Sequence, residues 1–319
     1  MTPSSLPRIA ATFLRLGLTS FGGPIAHLGY FREDLVRRRR WISDDGFAGI
    51  VALSQFLPGP TSSQAAFALG WQRGGIAGAL LATLAFTLPS AIAMVLIAAL
   101  AGSAPPQEGL AGGVVTGLKI TAVAVVAHAV LGMARSLAPD GPRAAIALAA
   151  LTLVALAPPG PAAQIGAILT GAVAGLMVQT GPAAPMAEAA PLRAPSRRAG
   201  AVCLALFALL LAGLPLIAGA GPLARIAAEF YRAGALVFGG GHVVLPLLQA
   251  GTAGLVPKDS FLAGYGAAQA MPGPLFTFAG WLGQVAAGLP GAMVGLVAIF
   301  LPGFLLMAGA MPFWAALSR

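Results

Sequence analysis

The segment Gln55-Phe56-Leu57-Pro58-Gly59-Pro60-Thr61-Ser62-Ser63-Gln64 interrupts a chain made largely of apolar residues. A helix buried in lipid or protein has no use for two prolines, a glycine and five polar side chains within ten residues. Pro58 and Pro60 lack backbone donors and break the helical ladder, so the chain must turn or unwind there. The pattern returns as Gln269-Ala270-Met271-Pro272-Gly273-Pro274-Leu275-Phe276-Thr277. Matching interruptions in two halves of a hydrophobic chain point to a binding site of the kind transporters build from discontinuous helices.

Composition sets the solvent. Of 319 residues, 58% are hydrophobic and 8% charged, where soluble domains carry about 25% charged residues. Mean hydropathy is +0.88. The apolar runs are roughly 18–25 residues long, the length of membrane helices rather than of barrel strands. An all-α polytopic membrane protein follows, with abundant Gly and Ala for close helix packing. The net charge of +9 sits in short clusters beside apolar segments, as the positive-inside rule expects, so nucleic acid is not an expected partner. Cys203, the single cysteine, excludes disulfides and Cys-based metal sites. The chain has no GxxxxGK[ST], CxxC, HExxH or GxSxG pattern, which disfavours ATP-driven transport and hydrolysis. No enzymatic activity, cofactor or metal is expected. Arg15 and Gly22-Gly23-Pro24 interrupt what would otherwise resemble a signal-peptide core.

In order, residues 9–31 are broken at Phe21-Gly22-Gly23-Pro24, and a basic loop with Arg32 and Arg37 to Arg40 closes at Trp41, an expected interface anchor. Glu33, Asp34, Asp44 and Asp45 offset its arginines. Residues 46–72 carry the opening break. Segments 74–101, 109–134, 143–158, 161–179 and 199–220 read as spans or shorter apolar runs. A Pro/Ala-rich stretch over 180–198 reads as a cytoplasmic linker. A second broken pair, 223–250 and 260–284, precedes a last span at 288–316.

The breaks align as an internal repeat. Phe13, Arg15, Gly17, Phe21, Gly22 and Gly23 match Phe230, Arg232, Gly234, Phe238, Gly239 and Gly240. Asp45, Phe47, Gln55, Pro58, Gly59 and Pro60 match Asp259, Phe261, Gln269, Pro272, Gly273 and Pro274, and Pro89 matches Pro302. Chance could supply shared alanines, but not these glycines, prolines and arginines in order. Asp45 and Asp259 are expected helix caps. Residues 1–179 form the first repeat with the helices that follow it, and 199–319 a shorter second repeat without a counterpart of 109–179. If the four broken elements are re-entrant hairpins, nearly every arginine outside the membrane falls on one side; only Arg225 and Lys258 fall on the other. Full crossings would push either the arginine quartet or the Arg193–Arg198 cluster outward. Charge therefore favours re-entrant hairpins, two inverted-topology repeats and cytoplasmic termini.

Irregular backbone at membrane depth survives only where protein buries it or a watery cavity receives it. Helix N-termini at such breaks present free N–H groups and positive dipole ends, ready to hold an anion. The candidate substrate-binding residues are Ser20, Gly22, Gly23, Gln55, Gly59, Thr61, Ser62, Ser63 and Gln64, with Thr19 beside them. From the second half come Gly239, Gly240, Gly241, His242, Gln269, Gly273 and Thr277. Lys119 is the one lysine inside a long apolar segment, where charge usually faces a cavity or a partner. Arg15 and Arg232 are candidates for balancing anionic charge, with snorkelling as the competing explanation. His27, His128 and His242 are candidates for proton coupling, His242 the foremost, against the commoner role of a packed histidine.

These residues carry a resemblance. Phe21-Gly22-Gly23-Pro24 with His27, Trp41-Ile42-Ser43, Gln55 through Pro60 with Gln64, and Phe86-Thr87-Leu88-Pro89-Ser90 are similar to motifs of the chromate ion transporter (CHR) family. So are Phe238-Gly239-Gly240-Gly241-His242 and Met271-Pro272-Gly273-Pro274. The resemblance covers nearly the whole chain. It implies a two-domain bacterial inner-membrane protein that exports chromate and confers chromate resistance, with sulfate as a structural mimic. Short single-domain members that work in pairs fit the inverted repeat and leave a homodimer open. Long members are expected to continue past Pro302 with a counterpart of 109–134, which this chain, ending at Arg319, does not show; Lys119 then has no repeat mate. A permease for sulfate or another oxyanion, a passive anion channel and a non-transporting membrane scaffold are the alternative readings.

Overall fold

In the computed structural model, residues 5–101, 138–157, 161–178, 192–238 and 243–314 are described, with scattered positions between 109 and 135. Lys119, His128, Gly239 to His242 and the first part of the linker lie outside the described residues. Among those described there is no strand, as the composition requires.

The chain forms two compact units. One comprises Ile120–Pro185 and contains α5 (Gly141–Leu156) and α6 (Pro161–Met177), α5 being capped by Asp140, which accepts from the Arg143 N–H at 2.9 Å. The other, Met1–Lys119 with Met186–Arg319, holds both interruptions.

In that unit α1 (Leu6–Thr19) begins with Pro7 in its first turn, where a missing N–H costs nothing. Its buried face is Ile9, Phe13, Leu16 and Gly17. It stops at Ser20, and Gly22, at φ +91°, redirects the chain into α2 (Gly23–Phe31). α2 continues into a π-helical turn, Arg32–Arg38. Ser43 caps α3 (Asp44–Phe56), accepting from the Gly46 N–H at 3.2 Å. The cap expected of Asp45 thus falls to Ser43, and Asp45 sits in the first turn, where its charge opposes the dipole. Trp41, expected at the membrane interface, is instead 4% exposed. The guanidinium carbons of Arg39 and Arg73 lie 5.7 and 5.3 Å from its ring centroid, because cations are drawn to the face of an indole.

After the first interruption α4 runs from Thr61 to Ala101, bent where Gly74 and Gly75 leave helical geometry. The later part of the unit follows the same plan. α7 (Arg197–Ile217) leads to α8 (Pro222–Leu236), α9 (Val244–Gly251), α10 (Lys258–Ala270), the second interruption, and α11 (Phe278–Ala310). α11 bends at Ala287 (φ −152°, ψ 28°) and Gly288 (φ 65°, ψ −160°), close to the values at Gly74 (−143°, 16°) and Gly75 (60°, −149°). Three of the elements read as broken, 9–31, 46–72 and 260–284, are broken helices here; in the fourth a helix ends at Leu236 and another begins at Val244, and Gly239 to His242 lie outside the described residues. Among the described residues three helical stretches are long and apolar enough to cross a membrane: Thr61–Ala101, Arg197–Ala220 and Leu275–Phe313, with mean hydropathies of 2.3, 2.6 and 2.2.

Glycines set the helix spacing. A Cβ on Gly70 would strike the Gly78 carbonyl, and one on Gly283 the Gly291 carbonyl, so the two arms of each bend lie backbone against backbone. Likewise a Cβ on Gly17 would strike Phe86 O, and one on Gly234 would strike Ile299 O. α4 and α11 meet through the stacked rings of Phe67 and Phe304, 5.4 Å between centroids. Between them lies an apolar cavity of about 270 Å³ lined by, among others, Thr83, Thr87 and Leu88 and their repeat mates Leu296, Phe300 and Leu301.

Because these close approaches admit no side chain, Gly283→Ala is expected to destabilise the protein by about 1–3 kcal/mol. Gly213→Ala, on α7 with nothing within 4 Å, should be neutral or slightly stabilising. Thermal unfolding in detergent compares the two.

Candidate functional site

Each interruption is built from an X-Pro-Gly-Pro sequence that opens on an extended residue, Leu57 or Met271, and turns at a glycine with positive φ, +126° at Gly59 and +92° at Gly273. Only glycine adopts those angles without strain. Its N–H, which no helix can use, must still find an acceptor away from water. The acceptors lie across the unit. Gly59 N–H donates to the Val237 carbonyl at 2.8 Å, just past the end of α8, and Gly273 N–H donates to the Ser20 carbonyl at 2.8 Å, just past the end of α1. Ser20 and Val237 occupy matching places in the sequence repeat, so the two bonds form a crossed, reciprocal pair.

Around Gly273 lie Gly17, Ser20, Phe86 and Ser90. The Ser90 hydroxyl is 2.8 Å from where a Gly273 Cβ would stand, and it donates to Thr87 O at 3.1 Å. His27, 1% exposed, sets its ring edge-on to Phe86, 5.5 Å between centroids. It leans toward the Ser20 backbone, yet neither ring nitrogen reaches hydrogen-bond geometry with the protein. The Ser20 hydroxyl, also buried, has no protein partner.

Around Gly59 the arrangement differs. Gly303, the mate of Ser90, has no side chain, and the Gln64 amide fills the space. Its Nε2 donates to Pro58 O at 2.8 Å and Gly303 O at 3.2 Å, which fixes its Oε1 as an acceptor with no partner. Thr61, Ser62, Ser63 and Gln64 are all buried and form the first turn of α4. The Ser63 hydroxyl has no protein partner either. Buried polar atoms are normally paired, so the free Ser63 hydroxyl beside a helix N-terminus is a donor that can meet an anion, whereas Gln64 Oε1 is an acceptor and cannot.

The other candidates fall in varied surroundings. Gln55 and Gly22 are exposed, and Thr19 donates to the Arg15 carbonyl at 2.9 Å. Gln269 donates to the Tyr265 hydroxyl at 2.6 Å, and Thr277, fully buried, donates to Pro274 O at 2.9 Å. Arg15 is ion-paired with Asp34 and Arg232 with Glu229. The basic loop's arginines find the carboxylates assigned to offset them: Arg32 with Asp44, Arg37 and Arg38 with Glu33, and Arg39 with Asp34. Sequence reasoning quoted Ser90 in the Phe86–Ser90 motif without making it a site candidate, and passed over Gln72, which clamps the linker by exchanging two hydrogen bonds with the Arg193 backbone at 2.9 and 2.8 Å. For Gln72 the signal was a polar side chain within an apolar helix.

Broken apolar helices and crossed backbone bonds define a helical membrane protein with unpaired polar atoms buried at its interruptions. The chain belongs to the chromate transporter family, whose model matches residues 7–176 and 224–319. A probable chromate transport protein of Synechococcus elongatus is 30% identical over 97% of this chain and 77% of its own length. Chromate transport proteins of Pseudomonas aeruginosa and Cupriavidus metallidurans are each 30% identical, over 95% and 97% of this chain and 72% and 75% of their own. No solved structure matches the chain.

Replacing Gln64 with Leu strips two carbonyls of their donor and should destabilise by about 1–3 kcal/mol. Ser63→Ala removes a hydroxyl that bonds to nothing in the protein and should leave stability unchanged. Thermal midpoints of the purified variants distinguish the two roles.

Proposed function

We propose that this protein is a secondary transporter that exports chromate, a tetrahedral divalent oxyanion, across the bacterial inner membrane and so confers chromate resistance. The observation that carries this reading is the set of buried, unpartnered polar groups at the crossed interruptions: Ser20 and His27 beside Gly273, and Ser63 beside Gly59. A dianion leaving water needs its hydration replaced by donors already in position. Hydroxyl, imidazole and backbone N–H groups at a helix N-terminus supply donors and a positive potential. Gly22 and Gly23 lead toward the site from the first half, and Gln55 and Gln269 precede the two interruptions; Gly239, Gly240, Gly241, His242 and Lys119, outside the described residues, stand as contributors on their sequence alone.

The two halves act as inverted repeats, and rocking one against the other exposes the site to either face in turn. The bends at Gly74-Gly75 and Ala287-Gly288 let the arms of α4 and α11 move while the crossed bonds keep the interruptions in register. With an inside-negative potential, export of each negative charge is favoured by about 2.3 kcal/mol per 100 mV, so a dianion gains about twice that. The relatives named chromate transport proteins support chromate as the cargo. Sulfate shares its charge and shape and is the rival substrate, and a passive channel is the rival mechanism.

Flux of labelled chromate and sulfate into everted vesicles, with and without a pH gradient, tests this reading. Saturable chromate uptake is expected, falling about tenfold in Ser20→Ala and Ser63→Ala at equal protein, as for loss of one hydrogen bond to a charged ligand. Uptake that does not saturate favours a channel, and vesicles without chromate-selective flux contradict the assignment.

A further inference from the structure

α1 and α8 carry the same residues at the same spacing: Arg8, Ile9, Phe13, Arg15 and Gly17 in one, Arg225, Ile226, Phe230, Arg232 and Gly234 in the other. The register extends into α2 and α9. His27, Phe31, Asp34 and Leu35 are buried, and so are their mates Val244, Leu248, Gly251 and Thr252. In this register the arginine is kept in both halves, but its carboxylate is not.

Arg15 pairs with Asp34, in the π-helical turn after α2, and that carboxylate also accepts from Arg39 Nε at 2.8 Å. Arg232 pairs with Glu229, one turn earlier on its own helix. The residue matching Glu229 is Thr12, buried, with its hydroxyl turned to Arg8 O at 2.8 Å. The residue matching Asp34 is Gly251, and the space at Gly251 is where Glu229 packs. A Cβ there would stand 2.8 Å from Glu229 Cβ and 2.9 Å from its Oε2. The large acidic residue and the small residue have exchanged places between the two helices.

We propose that Glu229 supplies from α8 the carboxylate that Asp34 supplies from the turn after α2, and that Arg15–Asp34 and Arg232–Glu229 are equivalent positioning pairs. Arg15–Asp34 ties α1 to the turn after α2 directly; Arg232–Glu229 lies within α8 and reaches the end of α9 through the packing of Glu229 on Gly251, ahead of the glycine turn on which the site is built. The second arrangement requires a glycine at 251, because the glutamate side chain lies where a side chain at 251 would go. Arginines held in this way serve the geometry of the site instead of contacting the transported anion. A carboxylate that loses its arginine in such a place, or the reverse, is left as an uncompensated, partly buried charge.

The test moves the second arrangement into the first half. Asp34→Gly, Thr12→Glu and Thr12→Glu/Asp34→Gly are purified for thermal unfolding and reconstituted at equal protein for chromate flux. Asp34→Gly should lower the midpoint by several degrees and the maximal flux about tenfold, with the apparent KM within about twofold, as expected when a distant misplacement disturbs a site. The double variant should recover more than half of both losses. A double variant no better than Asp34→Gly, an Asp34→Gly variant indistinguishable from the parent, or a large rise in KM without a change in midpoint would overturn the proposal. If Asp34→Gly yields no folded protein, Asp34→Asn read against Thr12→Glu/Asp34→Asn gives the same comparison. The midpoints need no transport, so they test the pairing even in a protein that moves no chromate.

Discussion

A proline-glycine-proline interruption in a hydrophobic setting leaves backbone groups that neither a helix nor bulk water can satisfy, and the rest of the unit is arranged around where those groups go. Both glycine N–H groups are satisfied across the molecule, Gly59 by Val237 O and Gly273 by Ser20 O. Once these two bonds exist, the end of α1 is fixed against the second interruption and the end of α8 against the first. The glycine contacts follow from that closeness. Gly17 under Phe86 and Gly234 under Ile299 let the first helix of each half lie on the long helix of the same half, which brings Ser20 and Val237 within reach of the opposite break.

Electrostatics follow the same plan. The two arginines that occupy matching places in the halves are matched with carboxylates, Arg15 with Asp34 and Arg232 with Glu229. The interruptions themselves hold neutral donors, hydroxyls and an imidazole, with the start of α4 adding its dipole. Such a site can hold a divalent anion without binding it so tightly that release becomes slow, since a fully desolvated cation would attract it far more strongly. The two interruptions are not chemically equal: Ser90 covers Gly273, whereas Gln64 reaches back to cover Gly59 because its counterpart of Ser90 is Gly303.

Much of this was legible in the sequence. The breaks at Pro58–Pro60 and Pro272–Pro274, the helical class and the register between the halves follow from residues whose backbone chemistry is strongly constrained, namely proline, glycine and charge in an apolar chain. Pairings that depend on which way a side chain turns were not legible. Arg15 read as a charge facing the anion, since nothing in its spacing announces that Asp34 reaches it from the turn after α2; for Arg232 the i,i+3 spacing to Glu229 was a legible signal that was not used. Trp41 read as an interface anchor, but two arginines enclose it. Asp45 read as a cap, though Ser43 lies at the position whose oxygen meets the free N–H. For Arg15 and Trp41 a local rule was outweighed by a contact from elsewhere in the chain.

The most direct measurement is the position of chromium in crystals of the protein grown with chromate, read from anomalous scattering at the chromium edge. The account predicts a peak at an interruption, within hydrogen-bond reach of Ser63 at the start of α4 or of Ser20 and His27 beside Gly273. Chromium found only on the surface arginines, or against Arg15 or Arg232 with their carboxylates displaced, would contradict it.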